Sequence, residues 1–371
     1  MNVKYILHGI DTLYPNGGMT LTMQAIKAIG GSVVTRMDIK RGSKTFERKQ
    51  KMCSDVMGSP VEIATSDDEL LQICENADVI FALPFGNKVW SNFEEVLGKL
   101  NAKKVSLILG AAETRRAANF VKSDIWHARW SERPMIKEYI QGRGLIDVKK
   151  PYVIGCNVYE LSCPYSPEEL VSMKESRSIN TSARFGSFKG SDKLLQTFSF
   201  LKEDSRNKID AWGWSPNEAG ISFLSLVKMK PDVLEIWNDV GKKIARGTYT
   251  PPMIPELMKS AQFSADFTKG KGDGTIFGDG GLQYCQAEAI DWGAVPVCDS
   301  DFHRGKEWND IMVLVDRENP REAANIIQYE LNNWNPDQHV QRIQNGRKYI
   351  QENLNAERFN RSIHEVMELL S

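Results

Sequence analysis

Residues 282–297, LQYCQAEAIDWGAVPV, predict a helix that runs directly into a strand. The first part is an apolar helix that carries Glu288, Gly293 is a helix stop, and 294–297 is a short run typical of a buried strand. A helix followed at once by a buried strand is the repeating unit of parallel α/β sheets. This stretch therefore predicts an α/β fold.

The rest of the chain repeats the pattern, because short β-branched and aromatic runs alternate with segments of helical period. A first series of strands is predicted at 3–8, 32–37, 78–83, 105–109 and 152–156. A second series is predicted at 181–186, 209–214, 262–267, 295–298 and 312–315. Each series is expected to form its own sheet.

The length of 371 residues also favours two domains. Residues 162–182 are rich in Ser, Pro, Glu and Lys, which predicts a connector with a short helix at 167–174. Helices are predicted at 323–334, 337–353 and 356–370. We therefore expect an N-terminal domain at 1–165, a second domain at 175–350, and a C-terminal helix at 351–371 that packs across both.

Composition narrows the class of protein. Hydrophobic residues make up 41% of the chain, and no apolar run approaches the roughly 18 residues that a membrane span needs. The N-terminus lacks the pattern of a signal peptide, and the six cysteines are scattered without zinc-like spacing. We expect a soluble cytoplasmic protein with reduced thiols and no membrane partner. The net charge of −1 excludes a uniformly basic chain but not a local basic patch.

Residues 184–190, RFGSFKG, leave a predicted strand and enter a helix. Arg184 and Lys189 flank this turn, and fixed cations near a helix start stabilise the negative charge that a diphosphate gains as it leaves a sugar. The alternative is a lysine that points into solvent.

Two further features of the second domain suit a nucleotide. Glu288 is a carboxylate among apolar residues that can accept hydrogen bonds from both hydroxyls of a ribose. Residues 270–281 contain six glycines, whose backbone amides can approach sugar hydroxyls or a diphosphate. The alternatives are an exposed helix acid and a mobile surface loop.

Arg184, Lys189, Glu288, Gly293 and Pro296, in this order, resemble the donor domain of retaining GT-B glycosyltransferases. Within that family the stretch 282–297 is most similar to the bacteriophage DNA α-glucosyltransferases. The resemblance implies two facing Rossmann-like domains with a cleft between them. It further implies a UDP-sugar as donor substrate, no permanently bound cofactor, no divalent metal, and transfer with retention to 5-hydroxymethylcytosine in double-stranded DNA. The protein would then act in the cytoplasm of an infected bacterium.

The resemblance also implies site residues. The donor-binding set comprises Gly17, Gly18, Arg184, Lys189, Asp279, Gly280, Gly281, Leu282 and Glu288. The catalytic set comprises Glu113, Arg184 and Lys189. Two positions depart from the family. Gly280 stands where retaining members place a glutamate, so that glucose and a pentose such as arabinose both remain open. Glu113 replaces a His-Asp pair, and its alternative is an ion pair with Arg115 or Arg116.

A basic segment supports DNA as the acceptor. Residues 36–51 contain seven Lys and Arg against two acids, a local excess of five positive charges. The DNA-binding candidates are Lys40, Arg41, Lys44, Arg48, Arg115, Arg116 and Arg129. Trp130, beside Arg129, is the candidate aromatic for an extruded base. The alternative is a solvated, charged surface.

Residues 299–301, DSD, have the form that some glycosyltransferases use to hold a metal, but we expect a strand-end turn there. Two other classes of function stay open. One is a GT-B enzyme acting on a lipid, a polysaccharide or a small molecule, and the other is an inactive DNA- or nucleotide-binding protein.

Overall fold

The computed structural model of the chain consists of two compact units. The first comprises Met1–Val158 together with Asn353–Ser371, and the second comprises Tyr159–Glu352. The structure describes residues 1–7, 17–83, 92–108, 123–132, 136–137, 141, 150–174, 178–182, 189–214, 231–247, 249–268, 271–272, 275–276, 281–303 and 306–371.

The first unit contains a seven-stranded parallel sheet in the order β3-β2-β1-β4-β5-β6-β7. Its strands are β1 (Val3–Leu7), β2 (Ser32–Arg36), β3 (Val61–Ala64), β4 (Val79–Ala82), β5 (Lys103–Ile108), β6 (Ala128–Ser131) and β7 (Tyr152–Ile154). Every residue of β1 is buried, as expected for a parallel strand covered on both faces. The strand order changes direction between β1 and β4, and open α/β sheets bind ligands outside the carboxyl ends of the strands at such a point.

Four described helices lie between the strands of this unit. They are α1 (Gly17–Ile29), α2 (Lys44–Met57), α3 (Asp67–Cys74) and α4 (Phe93–Gly98). The hydroxyl of Ser43 accepts a hydrogen bond from the Phe46 amide at the start of α2, and Gly58 ends that helix with a φ of 60°.

The second unit contains a six-stranded parallel sheet in the order β10-β9-β8-β11-β14-β15. Its strands are β8 (Ile179–Ser182), β9 (Ile209–Trp212), β10 (Ala245–Gly247), β11 (Phe263–Asp266), β14 (Val295–Asp299) and β15 (Val313–Val315). A separate antiparallel pair, β12 (Lys271–Gly272) and β13 (Thr275–Ile276), follows β11. The two parallel sheets confirm the predicted pair of Rossmann-like folds.

Helices flank the second sheet. They are α5 (Pro167–Ser172), α6 (Ser191–Phe200), α7 (Glu203–Arg206), α8 (Pro231–Ile236), α9 (Lys242–Ile244), α10 (Ile254–Ser260), α11 (Tyr284–Asp291), α12 (Pro320–Asn332) and α13 (Pro336–Asn353). A π-helical turn, Trp237–Gly241, joins α8 to α9. The core of this unit includes Phe198, Trp237 and Phe263, each at most 2% exposed.

The last helix, α14 (Ala356–Leu370), packs within the first unit although it comes last in the chain. Its buried residues Phe359, Ile363 and Val366 belong to the core that contains Tyr5 and Trp130. The indole of Trp130 donates a hydrogen bond to the Ser362 hydroxyl at 2.9 Å, and its ring meets that of Phe359 edge-on. The apolar stripe that predicted this helix is therefore the face that it buries.

The connector after Val158 is attached to the second unit. The Asp291 carboxylate accepts hydrogen bonds from the Tyr159 hydroxyl at 3.2 Å and from the Ser162 amide at 2.9 Å. The Lys174 ammonium donates to the carbonyls of Met258 and Lys259 at the end of α10, both at 2.9 Å. Burial lowers the pKa of Lys174 to about 7. These bonds place the boundary between the units a few residues before the predicted connector.

Each of the ten predicted strands overlaps an observed strand, whereas β3, β6 and β10 in the parallel sheets and the antiparallel pair β12 and β13 were not predicted. None of the described helices combines the length and the apolar composition that a membrane span requires.

Candidate active site

The centre of the second sheet is where its strand order changes direction, between β8 and β11. These strands pair in register, with Phe263 opposite Ile179. Ligands of open α/β sheets bind outside the carboxyl ends of the strands at such a point. The segments that leave β8 and β11 are therefore the candidate site.

The segment after β8 brings Lys189 to the start of α6. Gly190 precedes this helix with a φ of +63°, and a Cβ there would lie 2.1 Å from the carbonyl oxygen of Phe267. Only glycine fits, so this position lets the start of α6 approach the end of β11 closely. Arg184, the second predicted diphosphate ligand, lies outside the described residues.

The Lys189 side chain extends from the start of α6 to the start of α11. Its Nζ donates to Gln283 Oε1 at 3.1 Å and to Thr268 Oγ1 at 3.4 Å. Gln283 is the N-cap of α11 and forms a reciprocal capping pair with Gln286. An ammonium near the starts of two helices favours an anion such as a diphosphate.

Glu288 lies on α11, one turn beyond the capping pair, and is partly buried. Its carboxylate has no hydrogen bond or ion pair with the residues that the structure describes. Burial, with a smaller contribution from the Asp291 carboxylate, raises the pKa of Glu288 to about 7. A carboxylate that folding desolvates without giving it a described partner is suited to accept hydrogen bonds from a ligand.

Asp291, on the same helix, is fully buried but has four donors. The Ser162 hydroxyl at 3.0 Å and the Cys163 amide at 3.3 Å add to the Tyr159 hydroxyl and the Ser162 amide. Asp291 therefore fixes the connector to α11 and is satisfied within the protein.

The glycine-rich segment before α11 is described only at its end. Gly281 is partly buried and the Leu282 side chain is 1% exposed, which leaves the Leu282 backbone as the group that could meet a ligand. Asp279 and Gly280 lie outside the described residues.

The DSD sequence forms a turn at the end of β14, as expected. Asp299 is buried, accepts a hydrogen bond from the Asp301 amide at 3.3 Å, and lies 3.5 Å from the Arg317 guanidinium. Burial raises the pKa of Asp299 to about 6. No cluster of three or more potential metal ligands occurs in the described part of the chain.

The first unit has a second point at which the strand order changes direction, between β1 and β4. α1 begins at Gly17, and Gly18 in its first turn is partly buried. Glu113, Arg115 and Arg116 follow β5 but lie outside the described residues.

The basic segment after β2 divides into two parts. Arg41 makes its contacts within the first unit. Its guanidinium pairs with Glu69, donates to the Ile63 carbonyl at 3.1 Å and lies over the Phe46 ring. Lys40 is exposed. Lys44, Arg48 and Lys51 are exposed on one face of α2, and none forms an ion pair with another described residue. We call these three the α2 stripe.

Arg129 was wrongly predicted to contact DNA, and Trp130 was wrongly predicted to stack on a base. Both lie in β6, at 1% and 0% exposure, and Trp130 is bonded to α14. Their local sequence resembled a basic surface loop because a buried arginine interrupts the apolar pattern of the strand.

Sequence reasoning missed Asp266 and Thr268 at the end of β11. Asp266 is 7% exposed, and it accepts hydrogen bonds from Thr268 and Gln286, which border Lys189 and Gln283. An acid at the carboxyl end of a predicted strand was the available signal.

A search of family models and a search of curated proteins found no match, whereas solved structures match over the full chain. The Anabaena HepE structure in complex with UDP-glucose has a TM-score of 0.68, 13% identity, and 99% coverage of both chains. A Rickettsia africae glycosyltransferase and the Thermosynechococcus elongatus sucrose-phosphate synthase each have a TM-score of 0.67 and 12% identity, and each alignment covers 100% of this chain and 98% of the other. This protein therefore has the GT-B fold of glycosyltransferases.

Proposed function

We propose that the protein is a retaining glycosyltransferase that moves a sugar from a UDP-sugar to the hydroxyl of 5-hydroxymethylcytosine in double-stranded DNA. The donor sugar is glucose or a pentose such as arabinose. The observation that carries the proposal is the presence together, at the switch point of the second sheet, of the Lys189 ammonium and the partly buried Glu288 carboxylate.

The donor would lie across the starts of α6 and α11. Lys189 would hold the diphosphate, and Glu288, one turn further along α11, would accept the ribose hydroxyls. HepE, which has the same fold, forms complexes with UDP-glucose and with UDP, and this supports a UDP-sugar as the donor.

The chemistry follows from these charges. The bond between the sugar C1 and the diphosphate breaks, and Lys189 together with Arg184 would stabilise the oxygen that gains negative charge. The acceptor oxygen would attack C1 from the same face and pass its proton to the leaving phosphate. Glu113 would orient the acceptor, and no resident cofactor or metal is needed for these steps.

The acceptor proposal rests on the first unit. The α2 stripe begins near the carboxyl edge of the sheet and presents three cations four and three residues apart. Helical cations at this spacing can contact successive backbone phosphates. Arg41 would add less to this surface because it is paired with Glu69.

The test is to incubate the protein with UDP-glucose or UDP-arabinose and with hydroxymethylated or unmodified DNA. The DNA is then digested, and the masses of its nucleosides are measured by mass spectrometry. We expect a mass gain on hydroxymethylcytosine alone, which also identifies the sugar. Donor hydrolysis without a gain would indicate a lipid, polysaccharide or small-molecule acceptor. UDP binding without hydrolysis or transfer would indicate an inactive nucleotide-binding protein.

A further inference from the structure

We propose that Asp266 is a positioning residue that fixes the Lys189 ammonium for the donor diphosphate, acting through Thr268 and Gln283. This inference rests on the proposed donor site. It assigns a role to a residue that touches neither the nucleotide nor the sugar.

Asp266 is the last residue of β11, and both of its carboxylate oxygens are occupied. Oδ1 accepts the Thr268 amide at 3.1 Å and the Thr268 hydroxyl at 2.6 Å. Oδ2 accepts the Gln286 amide at 3.1 Å and the Cys285 thiol at 3.4 Å. All four donors are neutral, so among the described residues the carboxylate is a buried negative charge without a cation in direct contact.

The Thr268 hydroxyl links the Asp266 carboxylate to the Lys189 ammonium. This hydroxyl has one hydrogen, which points to Asp266 across the 2.6 Å bond, so a lone pair faces the Lys189 Nζ at 3.4 Å. Thr268 is 3% exposed, which leaves water little access to replace either bond.

Gln286 provides a second route. Because its Nε2 donates to Asp266, its Oε1 is turned toward the Gln283 amide, which it accepts at 3.0 Å. That bond fixes the N-cap of α11, and the Gln283 side chain accepts Lys189 Nζ at 3.1 Å. The amide orientation of Gln286 thus depends on an acceptor at position 266.

The network explains how neutral groups can orient the Lys189 ammonium. The Thr268 and Gln283 oxygens that accept from its Nζ carry no formal charge. The Asp266 carboxylate is one further hydrogen bond away, beyond the Thr268 hydroxyl. The network therefore fixes the direction of the ammonium through two oxygens whose own positions depend on Asp266.

The test compares the affinities of UDP and uridine, because their ratio isolates the contribution of the phosphates. Thr268→Val removes the hydroxyl at nearly constant shape. We expect the UDP affinity to fall about tenfold, since a hydrogen bond to a charged group is lost, and the uridine affinity to stay within about twofold. Thr197→Val is the matched control, because it removes a buried hydroxyl on α6 that bonds only to the Lys193 carbonyl among the described residues.

The second part of the test moves the carboxylate from position 266 to position 286. Asp266→Asn places a side-chain NH2 group opposite the Gln286 Nε2, so that two hydrogen-bond donors face each other. The ratio of the UDP affinity to the uridine affinity should then fall by more than tenfold. Adding Gln286→Glu restores an acceptor both for the new side-chain amide at position 266 and for the Gln283 backbone amide. The double variant should recover the ratio to within about threefold of the wild-type value.

The outcomes separate the two proposals. If wild-type protein binds neither UDP nor uridine, the proposed donor site is wrong and this inference falls with it. A wild-type protein that prefers UDP, combined with an unchanged preference in Thr268→Val, would overturn the positioning role alone. A double variant no better than Asp266→Asn would overturn the Gln286 route.

Discussion

Glu288→Gln should weaken nucleotide binding while making the protein more stable above neutral pH. The change is nearly isosteric, and it replaces the carboxylate that burial holds at a pKa of about 7, against an ordinary value of 4.5. Because the folded-state pKa is raised, the folded protein binds this proton more tightly than the unfolded chain. The wild type therefore loses stability as pH rises from about 4.5 to about 7.

The size of both effects follows from this shift. Each pKa unit corresponds to about 1.4 kcal/mol, so the ionised carboxylate costs at most about 3.5 kcal/mol above pH 7, and less where solvent reaches the side chain. The amide lacks this cost. A ribose bonded to the carboxylate gains about 1.5 to 3 kcal/mol, so the variant should bind uridine and UDP about 10- to 150-fold more weakly.

The assay is thermal or denaturant unfolding at pH 5 and pH 8, together with uridine titrations from pH 5.5 to 8. Uridine presents the ribose without a phosphate that titrates in this range. Wild-type affinity should fall as pH drops below about 7, whereas the variant should show no such dependence. Glu365→Gln is the control, because Glu365 is exposed on α14. Unchanged uridine affinity in Glu288→Gln, or lower stability at pH 8, would refute the reasoning.

Three further predictions concern the charges and the backbone of the two units. Lys189→Ala should reduce sugar transfer at least 100-fold with little change in DNA affinity, because it removes a cation that acts on the leaving diphosphate; equal losses in both assays would contradict the assignment. Replacing the α2 stripe by glutamines should reduce the slope of log affinity for DNA against log salt by about 2 to 3, whereas Lys348→Gln on α13 should leave it unchanged; an unaltered slope would place DNA elsewhere. Gly58→Ala should destabilise the protein by roughly 1 to 2 kcal/mol, because Gly58 has a positive φ. Gly190→Ala should cost more, because Gly190 also has a positive φ and a Cβ there would lie 2.1 Å from a carbonyl oxygen. Equal losses of stability in calorimetry would contradict the close approach of α6 and β11.

The sheets were predictable because most of their strands are continuous apolar runs. β1, β11 and β14 are buried along their whole length, and their largely apolar sequences predict that burial. The three missed strands of the parallel sheets each contain a charged residue, namely Glu62 in β3, Arg129 in β6 and Arg246 in β10. A charge weakens the signal of a short run, although Lys4 in β1 shows that enough apolar neighbours can outweigh it. The place of the missed runs in a sheet depends on neighbouring strands that are distant in sequence.

The donor site was predictable only where one residue carries the signal. Lys189 and Gly190 stand out at a strand-to-helix turn, as does Glu288 in an apolar helix. The Asp266 network has only one local sign in the sequence, the acid that ends β11, because its other parts come from Thr268 and from the start of α11. Its polar residues meet only after the strand and the helix have packed together.

Glu288 and Asp291 show why a carboxylate in an apolar helix needs a structure before it can be given a role. Both acids lie on α11, three residues apart, and both interrupt its apolar sequence. Burying a carboxylate is costly unless donors replace the water that it loses. Asp291 has four donors from the connector, so folding alone accounts for its position. Glu288 has none among the described residues, and its raised pKa records the resulting cost. A folded chain that carries this cost at the switch point of a sheet is expected to recover it when a ligand supplies the donors, which is why Glu288 rather than Asp291 is the residue to test first.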